Sequence, residues 1–305
     1  MDAVGGIREV GMRRGRKRMV SIFLRYFLLI GIGVVFLYPI LYMISNSFKS
    51  VQDLVNPTVE WLPAKLYPDN FLRALKTLDY WKTLPFTVLH TTAATLAQTI
   101  SFAMAGYAFA RHEFPLKRFW MVMLIAAFLI PAQVTLVPRY LMFYNYGLTN
   151  TPFAVWLPSL LGQGVSSSIF VLIFENFFGS YPKSFDEAAK LDGAGKFTIF
   201  FRVALPVVKP AVVVSVLFSF VWFWNETYTS GQLMGSALRT LPMKLESFVA
   251  EFSSIYSTGD MTARLNESAR MAATLLVIAP LGVLYVVLQR SFIRGIDAAS
   301  GITGE

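Results

Sequence analysis

The sequence contains no cysteine, which excludes disulfides, Cys-ligated zinc, iron–sulfur clusters and thiol chemistry together. Its two histidines, His90 and His112, have no second histidine at ligand spacing, so no metal site is expected. Charge is also scarce. Asp, Glu, Lys and Arg make up 15% of the chain, against about 25% in soluble domains. Gly193-Ala-Gly-Lys196 looks like a fragment of a phosphate loop. That motif needs a glycine five residues before its final Gly-Lys pair and Ser or Thr directly after it, and Lys190 and Phe197 stand there instead. No Ser/His/Asp set is present either, so no catalytic residue is assigned. The glycosylation-like triplets at Asn225 and Asn266 are short enough to arise by chance.

What fills the 305 residues is apolar: 55% are hydrophobic, concentrated in long runs almost free of charge. About 20 such residues cross a ~30 Å hydrocarbon core as a helix. Six spans are expected, at about 21–44, 86–110, 119–137, 153–178, 210–228 and 269–289, giving an all-α integral membrane protein. The second is rich in Ala and Thr and carries His90 and Gln98, a composition suited to a span buried among other helices. Prolines at 39, 131, 138, 158 and 280 lie in or beside spans, where they remove a helix hydrogen bond and can kink the chain.

Six spans place both termini on one side. Sixteen Lys and Arg fall on that side, six of them between Arg8 and Arg18, against nine on the other. The excess marks the first side as cytoplasmic. The net charge of +9 is therefore read as a topology signal beside anionic lipid, not as a nucleic-acid arm. The division is a basic tail at 1–20, a transmembrane domain at 21–290 and a second tail at 291–305. The first apolar stretch is longer than a signal-peptide core and lacks a small-residue cleavage site after it. The external 45–85 segment, with four prolines and Trp61 and Trp81, fits an ordered interfacial loop or a docking surface for an external partner.

The informative stretch is the cytoplasmic loop at 179–209. Ser184 followed by Glu187 has capping-box spacing. Asp186 and Glu187 occupy the first turn, where the helix dipole favours acids. Ala188 and Ala189 continue the helix with little bulk, and Gly193 is placed to end it. Phe197, Phe200 and Phe201 have helical spacing, and Leu205-Pro206 closes that second helix. Two short helices result. The first suits a groove on another protein and equally suits an interfacial hairpin without a partner.

The loop resembles the EAA motif of ABC-importer permeases through Glu187, Ala188, Ala189, Gly193, Val203, Leu205 and Pro206, with Val203 where Ile is usual. Other stretches are similar to the carbohydrate, maltose-type branch and to its shorter partner permease. These are Gly106-Tyr-Ala-Phe-Ala-Arg111 with Phe114-Pro115, Ile130 through Tyr140 with Gly147–Thr151, Trp224-Asn225-Glu226, and Gln289-Arg290 with Phe292 and Gly295. The likeness covers about residues 20–296 and departs after Ile296. It implies a six-transmembrane-helix ABC importer permease bundle in a bacterial cell membrane, importing a sugar. It also implies a second, homologous permease, an ATP-binding cassette ATPase dimer and an extracellular solute-binding protein, with ATP and Mg on the ATPase and no cofactor in this chain. The first helix of the loop would then be the coupling helix seated in the ATPase.

Trp224, Asn225, Glu226 and Tyr228, at the outer end of the fifth span, are the candidate solute path. Polar groups there are costly unless they face protein or water, and a sugar takes hydrogen bonds together with an aromatic face. Interfacial aromatics and a helix-end cap explain the same residues. An ion-gradient-driven transporter is the rival reading. It would need midplane acids or paired broken helices, whereas Glu175 and Glu226 lie near span ends. An importer of a non-sugar solute is the other alternative.

Overall fold

The computed structural model describes residues 3–256 and 266–301. Residues 1–2, 257–265 and 302–305 lie outside them, among them Arg264, one of the nine Lys and Arg counted on the outer side. Every regular element among the described residues is helical. The chain divides into two compact units, Met1–Ala74 with Ser253–Leu275, and Leu75–Phe252 with Leu276–Glu305.

The first unit is dominated by α1, Ala3–Ser47. The basic stretch expected as a tail is thus the opening of a long helix. From Phe23 to Tyr42 its large apolar side chains are exposed, as lipid or protein cover requires. Its Ser21–Ser47 part is long and apolar enough to span a membrane. The chain leaving α1 is pinned by polar bonds. Asn70 Nδ2 donates to the Ser47 and Lys49 carbonyls at 2.9 and 2.8 Å, and Lys49 Nζ donates to the Glu60 carbonyl at 2.8 Å. α2, Val51–Val55, opens on a reciprocal Ser50–Asp53 capping box. Next comes α3, Asp69–Thr77. The 45–85 segment is ordered accordingly.

The second unit is built around α4, Tyr80–Arg111, a 32-residue helix about 48 Å long at 1.5 Å per residue. Its buried residues run Thr83, Thr87, His90/Thr91, Ala94/Thr95, Gln98/Thr99, Phe102/Ala103 and Gly106/Tyr107. That is one continuous face at helical spacing. Lipid tails are as apolar as these side chains, so close packing and hydrogen bonds, not water exclusion, hold such a face. Gly106 is a point of close approach to α8: a Cβ there would lie 2.5 Å from Phe174 Cβ. Gln98 Nε2 donates to Ser219 Oγ at 2.8 Å, and Leu241 N–H to Thr87 Oγ1 at 2.9 Å.

Two runs expected as single helices are each divided. The third is α5, Lys117–Phe128, and α6, Ala132–Asn145, separated at Leu129–Pro131. Pro131 cannot donate a helix bond and biases the residue before it away from helix. The fourth is α7, Phe153–Leu160, and α8, Ser167–Ser180. Between them Gly162 has φ +83 and Ser166 φ +51, left-handed positions that stop a right-handed helix. α8 packs on α4, joining Phe102, Tyr107, Phe170, Phe174 and Phe178 in one core.

The 179–209 loop follows as α9, Ser184–Leu191, and α10, Lys196–Val207. Then come α11, Lys209–Asn225, bent 83° from α10, α12, Tyr228–Met234, α13, Leu241–Glu246, and α14, Phe248–Ile255. Last is α15, Glu267–Gly301, whose Glu267–Gln289 part is again long and apolar enough to span. α11 packs on α4, with Ser219 bonded to Gln98, and Ala211, Ser215 and Ser219 are all buried.

Candidate functional site: the α9–α10 hairpin

α9 starts one residue earlier than capping-box spacing suggests. Lys183 is its N-cap and Ser184 is already helical. Asp186 and Glu187 N–H groups donate to the Lys183 carbonyl at 3.0 and 3.1 Å, leaving Ser184 Oγ without a capping role. The other end forms as its glycine predicts. Gly193 sits at φ +81. Its N–H donates to the Lys190 carbonyl at 3.0 Å, and the Ala194 N–H to the Ala189 carbonyl at 2.9 Å. That pair of bonds is a Schellman closure.

The helix so bounded presents Glu187, Ala188, Lys190 and Leu191 outward, with Ala189 half-buried. Leu191 is 89% exposed, and Phe197 and Phe201 of α10 are exposed beside it in sequence. α10 does not stop at Pro206. Residues Phe200–Ala204 form a π-turn in which the Leu205 N–H donates to the Phe200 carbonyl, and Pro206 lies in the last turn before the bend into α11. A π-turn resets the ladder just ahead of a residue that lacks an N–H. Val203 and Leu205 are half-buried and Ala204 is buried. The seven motif residues therefore lie on one continuous hairpin.

The buried residue of α9 is Asp186. Tyr181 Oη donates to its Oδ1 at 2.6 Å, and Arg111 Nε stands 3.7 Å from its Oδ2, near enough to pair but too far to hydrogen-bond. The Arg111 guanidinium lies over the Tyr181 ring at 3.6 Å and donates to the Tyr181 carbonyl. Burial, followed by the bond to Asp186, pushes the Tyr181 phenol up from its usual 10.0. The bond it donates is thus fully present below that value and lost only as pH rises through the higher folded one. Sequence reading passed over this trio. Its signal was an acid in the first turn beside an arginine that ends a helix 75 positions upstream.

At the other end of α11, Trp222, Asn225, Glu226 and Tyr228 line an open depression of about 340 Å³ with Val165 and Ser166. Trp224 does not join them: it is 1% exposed and stacks on Phe220. Helical spacing turns it to the opposite side from Trp222. Asn225 Nδ2 donates back to the Val221 carbonyl at 2.8 Å. The Glu226 carboxylate accepts the Thr229 and Ser230 N–H groups at 2.6 and 2.8 Å, so its side chain caps the first turn of α12 from the residue before the Thr227 N-cap. Glu226→Ala is therefore expected to destabilise the protein by about 0.5–2 kcal/mol, read as a lower unfolding midpoint in detergent, with KM for solute unchanged. A raised KM at unchanged stability would instead make Glu226 a solute contact.

Residues 99–298 match the family described as binding-protein-dependent transport system inner membrane component, a stretch that contains the hairpin and its supports. The probable ABC transporter permease protein YurM of Bacillus subtilis is 30% identical over 267 residues, 86% of this chain and 83% of that one. The maltodextrin transport system permease protein MalD of Streptococcus pneumoniae is 28% identical over 285 residues, covering 92% and 96%. The arabinooligosaccharides transport system permease protein AraQ of Halalkalibacterium halodurans is 25% identical over 295 residues, covering 94% and 100%. In structure, the chain superposes with a TM-score of 0.74, at 21% identity and over 91% of its length and 98% of the other, on a chain from the crystal structure of a bacterial ABC transporter involved in the import of the acidic polysaccharide alginate. The protein belongs to the family of inner-membrane components of binding-protein-dependent transport systems. It is an ABC transporter permease and not itself the ATPase, and this class works with an ATPase and a binding protein.

Proposed function

We propose that this permease imports a carbohydrate, an oligosaccharide or related sugar, as one of two homologous six-span subunits in a bacterial cell membrane, with both termini cytoplasmic. An ATPase dimer carries ATP and Mg, and an extracellular solute-binding protein delivers the solute. The observation that carries the coupling half of this reading is the α9 helix. It is short, closed by Gly193 and outward-facing at Glu187, Ala188 and Leu191, with small residues where a groove must close around it. Glu187, Ala188, Ala189, Gly193, Val203, Leu205 and Pro206 are the coupling set. The sugar half draws support from relatives named for maltodextrin and arabinooligosaccharides. Asn225 and Tyr228, with Trp222, offer polar groups and aromatic faces at the outer end of α11, with Glu226 holding the turn beside them and Trp224 packed behind.

Mechanistically, ATP binding closes the ATPase dimer and displaces α9. The displacement tilts the spans and turns the cavity outward. ATP acts only by favouring one of the two states over the other. The test is reconstitution of this chain with its partner permease, ATPase and binding protein in vesicles. Oligosaccharide uptake should require hydrolysable ATP and survive collapse of the proton gradient. Uptake that follows the gradient and ignores ATP would overturn the reading.

A further inference from the structure

The hairpin is continuous with α11 through α10, so one path for its movement is the chain itself. A second path is built from side chains. Asp186, the buried residue of α9, meets Arg111, the last residue of α4. The paired side chains are 4% and 9% exposed. α4 is also the helix against which α7, α8 and α11 all pack.

We propose that Arg111, Tyr181 and Asp186 form a transmission joint that passes displacement of α9 directly to the cytoplasmic end of α4. This rests on the coupling reading above. Apolar surfaces can slide past one another. A buried ion pair, by contrast, is little screened by salt, and the hydrogen bonds that Tyr181 makes to both partners are directional. The joint is held by four contacts. The guanidinium is stacked on Tyr181 and bonded to the Tyr181 carbonyl, and Asp186 takes the Tyr181 hydroxyl on one oxygen and faces Arg111 with the other. Next to it, Tyr107 packs between Phe178 and Phe200, so α4, α8 and α10 are locked beside the pair. Arg111 and Asp186 are positioning residues, acting on neither solute nor nucleotide. The joint makes α4, with its buried Thr, His and Gln face, an element driven from its cytoplasmic end and not a passive strut.

Removing one partner leaves a buried charge unpaired and endangers folding, so the decisive variant is the neutral double, Arg111→Gln with Asp186→Asn. It is compared with wild type and Arg111→Lys in the reconstituted four-component transporter. Three quantities are read: solute moved per ATP hydrolysed, subunit stoichiometry, and crosslinking to the ATPase from Leu191→Cys in this cysteine-free chain. The joint predicts normal assembly and normal crosslinking in the double variant, with solute per ATP lower by about 10-fold or more, in the usual range for coupling between sites. Arg111→Lys, which keeps charge but loses the planar stack, should fall between. A double variant that assembles and transports within twofold of wild type overturns the joint and leaves the coupling reading standing. Absence of crosslinking in the wild-type background overturns both.

Discussion

Replacing Gly193 with valine is expected to abolish solute uptake while ATP hydrolysis by the ATPase subunits continues. Gly193 holds φ +81 with open space around the position where a Cβ would sit. The penalty for a side chain is thus purely backbone strain, about 1–2 kcal/mol for an ordinary L-residue and more for a β-branched one. Strain at that point opens the two closing bonds at Lys190 and Ala189 and frays the end of α9 that bears Leu191. The series separates this cause from loss of protein. Asparagine tolerates left-handed geometry, so Gly193→Asn should retain most uptake, Gly193→Ala less, and Gly193→Val the least, at equal amounts of complex. Uptake and ATPase rate measured on the same vesicles check the order. Glu187→Lys should give the same uncoupled phenotype by a different route. Glu187 is exposed and in no ion pair among the described residues, so within the chain reversing its charge loses only the first-turn dipole effect of about 0.3–1 kcal/mol, and a full loss of uptake at normal complex yield is expected through a partner. Equal uptake across the glycine series would remove the geometric argument.

The largest effect on the protein itself is expected at Gly106. A Cβ there would meet Phe174 Cβ at 2.5 Å, the Glu175 backbone nitrogen at 2.9 Å and the Phe174 carbonyl carbon at 3.0 Å. Two of these are backbone atoms of α8, so relief requires moving the helix. Gly106→Ala should cost about 1–3 kcal/mol as an overpacked contact, outweighing the gain of about 1 kcal/mol from alanine's helix propensity. Gly106→Val should prevent accumulation of folded chain. Gly179, also helical and near the end of α8, has nothing within 4 Å. Gly179→Ala should therefore be neutral or slightly stabilising. Unfolding midpoints in detergent read both, and an unaffected Gly106→Ala would mean that α4 and α8 do not approach so closely.

Local chemistry was legible in the sequence wherever the cause was local. Gly193 ends α9 because a left-handed residue is needed there, and the glycine spacing announced it. The long apolar runs of α1 and α15 announced themselves too. The divisions of the third and fourth runs were harder to see. Apolar composition continues up to Pro131, which alone marks the first break, whereas the second is marked by Gly162, Gln163, Gly164 and Ser166 between two apolar runs. The Ser184–Glu187 spacing misled because Lys183 supplies the cap carbonyl one residue earlier. Trp224 stands beside Asn225 and Glu226 in sequence, which places it in the candidate solute path, yet it is buried; which side of a helix faces the core depends on partners distant in sequence. Asp186 shows the same limit. As a first-turn acid it looked like a dipole effect, and its burial depends on Tyr181 and on an arginine that ends another helix.

The central claim is that α9 is the part of this chain that grips the ATPase. A cysteine at 191, joined by a short bifunctional reagent in the assembled transporter, tests it with no background from other thiols in this subunit. The account predicts a crosslink to the ATPase whose yield changes between nucleotide-free and ATP-bound states. Crosslinks confined to lipid or to this same chain, in vesicles that still take up solute, would contradict it.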